Sequence, residues 1–281
     1  MAPTSTICCA NALWFLVLLS TVGWAEPGPL QLAAEAERDH RFDAAQSILQ
    51  RHLAQRPRDG LAWIHLASVA SVTGDIVGAQ KACDQAVPWI DPIGTLACRG
   101  RIALFTQQYE VALKPLELML QHPAYRQRKD HLTRWAAGVA AELAAAQGLV
   151  VTADDLFRRA LEEAPSVQIR AAWYDHLLAT GRPASVVAAI DPQRSPMPLQ
   201  VRRMIALKQL DRLVEAQPQI HYLDWEYRSA MAREEYLHGR EMARFYLDVL
   251  PRPALAQTAA ARNLDTQREA EDYALYQRTR Q

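Results

Sequence analysis

The chain has no excess of charge of either sign: 31 basic side chains stand against 31 acidic ones, for a net charge of zero. A protein that grips nucleic acid or an anionic membrane surface needs a basic excess or a strongly one-sided patch, so the balance argues against both. Glycine is scarce, with 11 in 281 residues, and no glycine-rich phosphate loop, dinucleotide fingerprint or nucleophile elbow is present. The eight histidines, at 40, 52, 65, 122, 131, 176, 221 and 238, include no pair spaced to place two ligands on one helix face, and His-Glu-x-x-His is missing. These absences predict no metal, no cofactor and no catalytic residue. The carboxylate pair Asp154-Asp155 reads instead as negative charge near a helix N-terminus. Aromatics make up only 7 %, yet 50 % of residues are hydrophobic, enough to bury a core.

Charge is absent altogether from the first 25 residues, MAPTSTICCANALWFLVLLSTVGWA, so all 62 charged side chains lie in Glu26 to Gln281. The apolar run Leu13 to Leu19, followed by small residues with Gly23 and Ala25 where a peptidase needs them, predicts a secretory signal over 1–25. It lacks a Lys or Arg near its start, and the alternative is an uncleaved anchor spanning Ile7 to Ala25. Cys8-Cys9 precede the apolar run, unlike a lipoprotein attachment site. Either way the rest of the chain is expected outside the cytoplasm, in the periplasm, secreted, or facing the periplasm from an inner-membrane anchor.

Beyond this segment the chain repeats. An offset of 34 carries Leu32 to Leu66, Ala33 to Ala67, Ala36 to Ala70, Phe42 to Ile76, Ala45 to Ala79 and Leu49 to Cys83. A further 33 reaches Gly100, Ala103, Tyr109, Ala112 and Leu116. The phase then slips, because Ala153 follows Ala112 by 41, and the surplus falls in Pro123 to Asp130, a lengthened loop or helix extension. Ala141, Ala144, Gly148, Ala153, Phe157, Ala160 and Pro165 make a fourth unit, and Tyr174, Leu177, Gly181, Val186 and Ile190 a fifth, closed by Asp191-Pro192. Each unit has apolar residues at helical spacing on both sides of a turn, as at Thr73-Gly74-Asp75, and so predicts a helical hairpin. Past Gln193 to Pro198 the pattern is looser: a helix over Leu199 to Gln217, an amphipathic stretch from Ile220 to Leu250 broken at His238-Gly239, a last hairpin around Pro251-Arg252-Pro253, and a polar capping helix over Glu269 to Gln281. The basic stretch Arg202 to Arg212 and the mixed stretch Glu226 to Glu241 either face each other or lie on solvated surfaces.

A period near 34, an Ala-rich first helix, a Gly at the turn, an Ala and a larger apolar residue on the second helix, and a closing Pro together resemble the tetratricopeptide repeat. Trp63, Leu66, Gly74, Ala79, Ala86 and Pro92 carry the resemblance in one unit, and Gly148, Ala153, Phe157, Ala160 and Pro165 in another. It implies an all-α fold, a right-handed solenoid of helix-turn-helix repeats over 26–192, with degenerate helical repeats over 193–281. A separate helical domain from Ser195 onward is the alternative. Ala and Gly at crossing points let helices approach closely, and each hairpin buries its apolar face only against its neighbours.

In such arrays the first helices line an inner groove that commonly holds a peptide or a partner's helix. By phase the groove residues are Arg38, Ile64, Ser68, Arg101, Phe105, Glu142, Asp175 and Leu178. The set mixes charges and apolar groups and lacks the Lys/Arg cluster that clamps a terminal carboxylate. The resemblance thus implies a non-catalytic scaffold of the bacterial cell envelope that binds a protein or peptide partner. The alternatives are a membrane-anchored assembly subunit of an inner-membrane complex and a helical cell-wall-acting enzyme. After signal removal only Cys83 and Cys98 remain, flanking the turn WIDPIG. A disulfide suits their antiparallel placement, and two buried small hydrophobes suit the positions equally.

Overall fold

Seven times among the described residues a helix ends in the same way. The residue at its C-terminus turns left-handed, and the next backbone N–H donates to the carbonyl five residues earlier, a bond that satisfies an otherwise orphaned helix-end acceptor. The left-handed residues are His40, Gly74, Gln107, Gly148, Gly181, Asp211 and Glu234. The bonds run from Arg41 to Ala36, Asp75 to Ala70, Gln108 to Ala103, Leu149 to Ala144, Arg182 to Leu177, Arg212 to Leu207 and Glu235 to Ala230, at 2.8–3.1 Å. The first five left-handed residues stand 34, 33, 41 and 33 positions apart, which is the spacing of the repeat itself.

The computed structural model describes residues 27–281, and the predicted signal or anchor with Cys8 and Cys9 lies outside them. Among the described residues there is no strand, and the fold is all-α. The first five turns join α1 (Pro29–Arg38) to α2 (Phe42–Gln55), α3 (Gly60–Val72) to α4 (Ile76–Ala86), and α5 (Pro92–Thr106) to α6 (Tyr109–Gln121). After the one-turn helix α7 (Pro123–Arg126), they join α8 (His131–Ala146) to α9 (Val150–Ala160) and α10 (Val167–Ala179) to α11 (Pro183–Ala189). The side chains of Asp59, Asp91, Asp130 and Ser166 cap the first helices α3, α5, α8 and α10 by accepting from backbone N–H groups of the first turn.

The surplus over Pro123 to Asp130 contains α7 and is tied down. The Arg159 guanidinium donates to the carbonyls of Leu120 and Tyr125, while Tyr125 and Arg128 both donate to Asp91 at 2.8 Å. These bonds hold the extra residues against the array.

The interior is handed on from hairpin to hairpin. One apolar cluster joins α1, α2 and α3, the next α3, α4 and α5, and a third α5, α6, α8 and α9. Alanines at the crossings are fully enclosed, among them Ala33, Ala45, Ala79, Ala97, Ala140 and Ala153. At Gly100 a methyl group would lie 2.8 Å from Val139 and 2.9 Å from Leu116, so this crossing excludes even alanine. Cys83 of α4 and Cys98 of α5 are joined by a disulfide with their Cα atoms 5.9 Å apart, and both are buried.

A fourth apolar cluster begins in α10 and runs without a break to the end of the chain. It takes in α12 (Met197–Gln209), α13 (Gln217–Ala232), α14 (Gly239–Arg244), α15 (Pro253–Asn263) and α16 (Ala270–Arg278). From Phe245 to Val249 the backbone widens into a π-turn directly after α14. There Tyr227, Phe245 and Tyr246 pack edge to face, with ring centroids 5.1–6.3 Å apart. Residues 193–281 therefore share the core of the fifth hairpin. No helix among the described residues is long and apolar enough to cross a membrane.

Candidate functional site

Phase along the first helices picks out Arg101 on α5, Glu142 on α8 and Asp175 on α10, and all three carry ion pairs. Arg101 donates to Glu142 at 3.3 Å and to Glu269 at 2.5 Å, the latter 168 residues away. Glu269 is the N-cap of α16, where its side chain and that of Asp272 each take a backbone N–H of the helix start. Arg240 of α14 donates to both oxygens of Asp272, at 2.6 and 2.8 Å, and also to Glu269. Asn263 and the Glu269 amide complete the shell around the fully enclosed Asp272 carboxylate.

Two carboxylates share Arg101, and the outcome divides them. Burial pushes Glu269 up, but the guanidiniums of Arg101 and Arg240 outweigh it and hold Glu269 below the usual range. Glu142 has the longer contact. Burial, with Glu271 and Glu269 adding repulsion, outweighs Arg101 and pushes it up to about 7. Arg101 itself loses to burial but gains more from Glu269 and Glu142, and its pKa is raised.

A second ionic cluster lies further along the array. Asp175 accepts from Arg202 of α12 at 2.7 Å and from Arg244 of α14 at 2.7 and 2.9 Å, and Arg202 also approaches Glu241 at 3.6 Å. Burial opposes the Asp175 charge, but the two guanidiniums prevail and its pKa is lowered. Beside it opens a depression of about 430 Å³, lined by Asp175, Leu178, Ile205, Lys208, Arg244 and Arg278. Its cations are already engaged: Lys208 donates to the Asp248 carbonyl at 2.8 Å, and Arg278 pairs with the Asp248 carboxylate at 2.5 Å.

The other expected groove residues are dispersed. Arg38 is exposed at the end of α1, with Glu35 at 3.9 Å; Ser68 and Phe105 are partly covered. Ile64 is not groove surface. It is buried in the apolar cluster of α3, α4 and α5 that also holds Cys98 and Ile102. Leu178, though it borders the depression, is also buried.

Two other expectations change in detail. Asp154 does not serve a helix start, because α9 begins at Val150 and its first turn holds no acidic residue; it accepts instead from His176 at 2.8 Å and from Arg182 at 2.6 and 2.9 Å and so ties α9 to the fifth hairpin. Of the basic and mixed stretches, the Arg202–Glu241 contact shows where they meet, whereas Arg212 and Arg233 pair locally on the surface.

Sequence reasoning missed Glu269, Arg240, Asp272, Arg202 and Arg244 as constituents of these clusters. The segment leading into α16 also bonds to the front hairpins. The Arg268 N–H donates to the Val72 carbonyl at 2.7 Å, and Gln267 Nε2 donates to His40 Nδ1 at 2.6 Å. Burial first, then His238 beside it, keeps His40 below its ordinary pKa, and the neutral ring is the form that accepts this bond. No group of three or more metal-ligating side chains occurs among the described residues.

These features define a class by architecture: an all-α array of helical hairpins with two clusters of buried ion pairs. No family model matches the chain, and no curated protein matches it.

Proposed function

We propose that this chain is a non-catalytic binding scaffold of the tetratricopeptide type, exported to the bacterial cell envelope, whose superhelix recruits or stabilises a protein partner on its inner face. The observation that carries the reading is what the inner face already does. It holds a stretch of polypeptide by main-chain and charged contacts, with the Arg268 amide on the Val72 carbonyl and the Glu269 carboxylate on Arg101. A surface lined by first helices that receives one backbone segment in this way is chemically suited to receive another. The Cys83–Cys98 bond supports an oxidising compartment, as does the charge-free start of the sequence.

The test is a crosslinking pull-down of the tagged protein from its native envelope, with mass spectrometry of bait and prey. One envelope protein recovered with the wild type, and lost with Arg101→Ala combined with Phe105→Ala, is the expected result. Recovery of nothing specific, together with turnover of a cell-wall or small-molecule substrate by the purified protein, would overturn it.

A further inference from the structure

The chain's own C-terminal region bonds to the front hairpins at the turn after α1, at the last residue of α3 and at Arg101 of α5. Four contacts make the junction: Arg268 N–H to the Val72 carbonyl, Gln267 to His40, Glu269 to Arg101, and the His238 ring edge-on to His40 at 5.7 Å. They join residues that are as many as 227 positions apart. None of the four apolar clusters spans this junction, and no residue from Leu264 to Asp272 belongs to any of them.

An apolar junction would resist opening, because its surfaces lose their burial and gain nothing from water. A polar junction loses little, since each N–H, carbonyl and charge recovers a hydrogen bond to solvent on release. The junction thus opens at less cost than the apolar clusters on either side of it, and the Arg240–Glu269 pair stays with the rear part.

We propose that Leu264–Glu269 is an intramolecular latch over the inner face, with Glu269 occupying on Arg101 the place taken by a carboxylate of the partner, so that the latch swings out before the partner binds. This rests on the binding reading above. The partner chemistry follows from the stand-in. Arg268 and Glu269 offer a free backbone N–H next to a carboxylate, and Val72 and Arg101 receive them; an acidic segment with an accessible main chain reproduces both contacts.

Hydrogen exchange of the full-length protein reads the latch, and a peptide of residues 266–273 serves as the probe of what replaces it. With Glu269→Ala, amide exchange over 264–269 is expected to rise about ten-fold while α14 and α15 keep their protection. The peptide is expected to bind Glu269→Ala at least about ten-fold more tightly than wild type, and to lose that gain when Arg101→Ala is added. Acceleration of α14 and α15 together with 264–269 would show the segment to be part of the rear core and overturn the latch. Equal peptide binding by wild type and Glu269→Ala, or binding by neither, would overturn it as well.

The pull-down separates this proposal from the one beneath it. If the same envelope protein is retained equally by wild type and Glu269→Ala, the latch fails and the scaffold stands. If exchange and peptide behave as expected but neither form retains an envelope protein, the latch stands and the scaffold fails.

Discussion

Asp175 shows what a shared ion pair demands of a single residue. Arg202, whose side chain is only 5 % exposed, and Arg244, at 17 %, both pair with this carboxylate, and Arg202 has Glu241 as a second partner at 3.6 Å. Removing one partner of an enclosed ion pair leaves the other charge uncompensated, so Asp175→Ala is expected to cost about 3–5 kcal/mol, read as a fall in the denaturant midpoint. Glu142 makes the opposite case, a carboxylate that its surroundings oppose. Its pKa rises from 4.5 to about 7, so the folded chain keeps a proton that the unfolded chain releases across that window. Its contribution to stability is therefore fully present below pH 4.5, declines as pH rises, and is lost above about 7. Glu142→Gln, which keeps the shape without titrating, removes this decline. Because 23 % of the Glu142 side chain still meets water, its advantage over wild type is expected to grow to only about 1–2 kcal/mol at pH 8 and to vanish near pH 4.5, in denaturation curves at both pH values. Phase along the repeat pointed to Arg101, Glu142 and Asp175 as inner-face residues. Their partners were not legible, because nothing local relates Arg101 to Glu269, 168 positions on.

At the scale of helices, the repeated features rest on sterics. The crossing of α5 with α6 and α8 brings Val139 and Leu116 to within 2.8 and 2.9 Å of where a Cβ on Gly100 would stand. Gly100→Ala is expected to force these side chains apart and destabilise by about 1–3 kcal/mol, read as a lower melting temperature. The α4–α5 pair carries a covalent tie as well. Reduction of Cys83–Cys98, or the double change to Ala, is expected to cost about 3 kcal/mol in the chain-entropy model for a loop of 15 residues, checked by denaturation with and without reductant. Hairpin turns were legible where glycine supplies the left-handed residue, at Gly74, Gly148 and Gly181. At His40, Gln107, Asp211 and Glu234 the same turn is imposed on residues that resist it, and the composition gives no sign of it. This is why the later units looked irregular: the turns at Asp211 and Glu234 close with the same bond as the others but without glycine.

Across the whole molecule, stability is distributed over four apolar clusters: the three at the front are each shared between neighbouring hairpins, and the fourth unites α10 to α16. In such an array a lesson taught by one unit should spread only as far as its neighbours. Leu49 is fully buried in the cluster of α1, α2 and α3. Leu49→Ala removes about 3 kcal/mol from that cluster and is expected to deprotect α1, α2 and α3 in hydrogen exchange while leaving α12 to α15 at wild-type protection. Besides the relay of stacked hairpins through α9 and α10, the front reaches the rear directly by the polar junction from His40, Val72 and Arg101 to Gln267, Arg268 and Glu269. Periodicity could not reveal it, because periodicity reports which neighbours stack and is silent on contacts that close an array upon itself. If the junction transmits the strain, Leu49→Ala also accelerates exchange over 264–269, and adding Glu269→Ala to that variant produces no further acceleration there. Full additivity of the two changes at 264–269 would mean that the front hairpins and the C-terminal segment open independently, and that the junction carries no coupling.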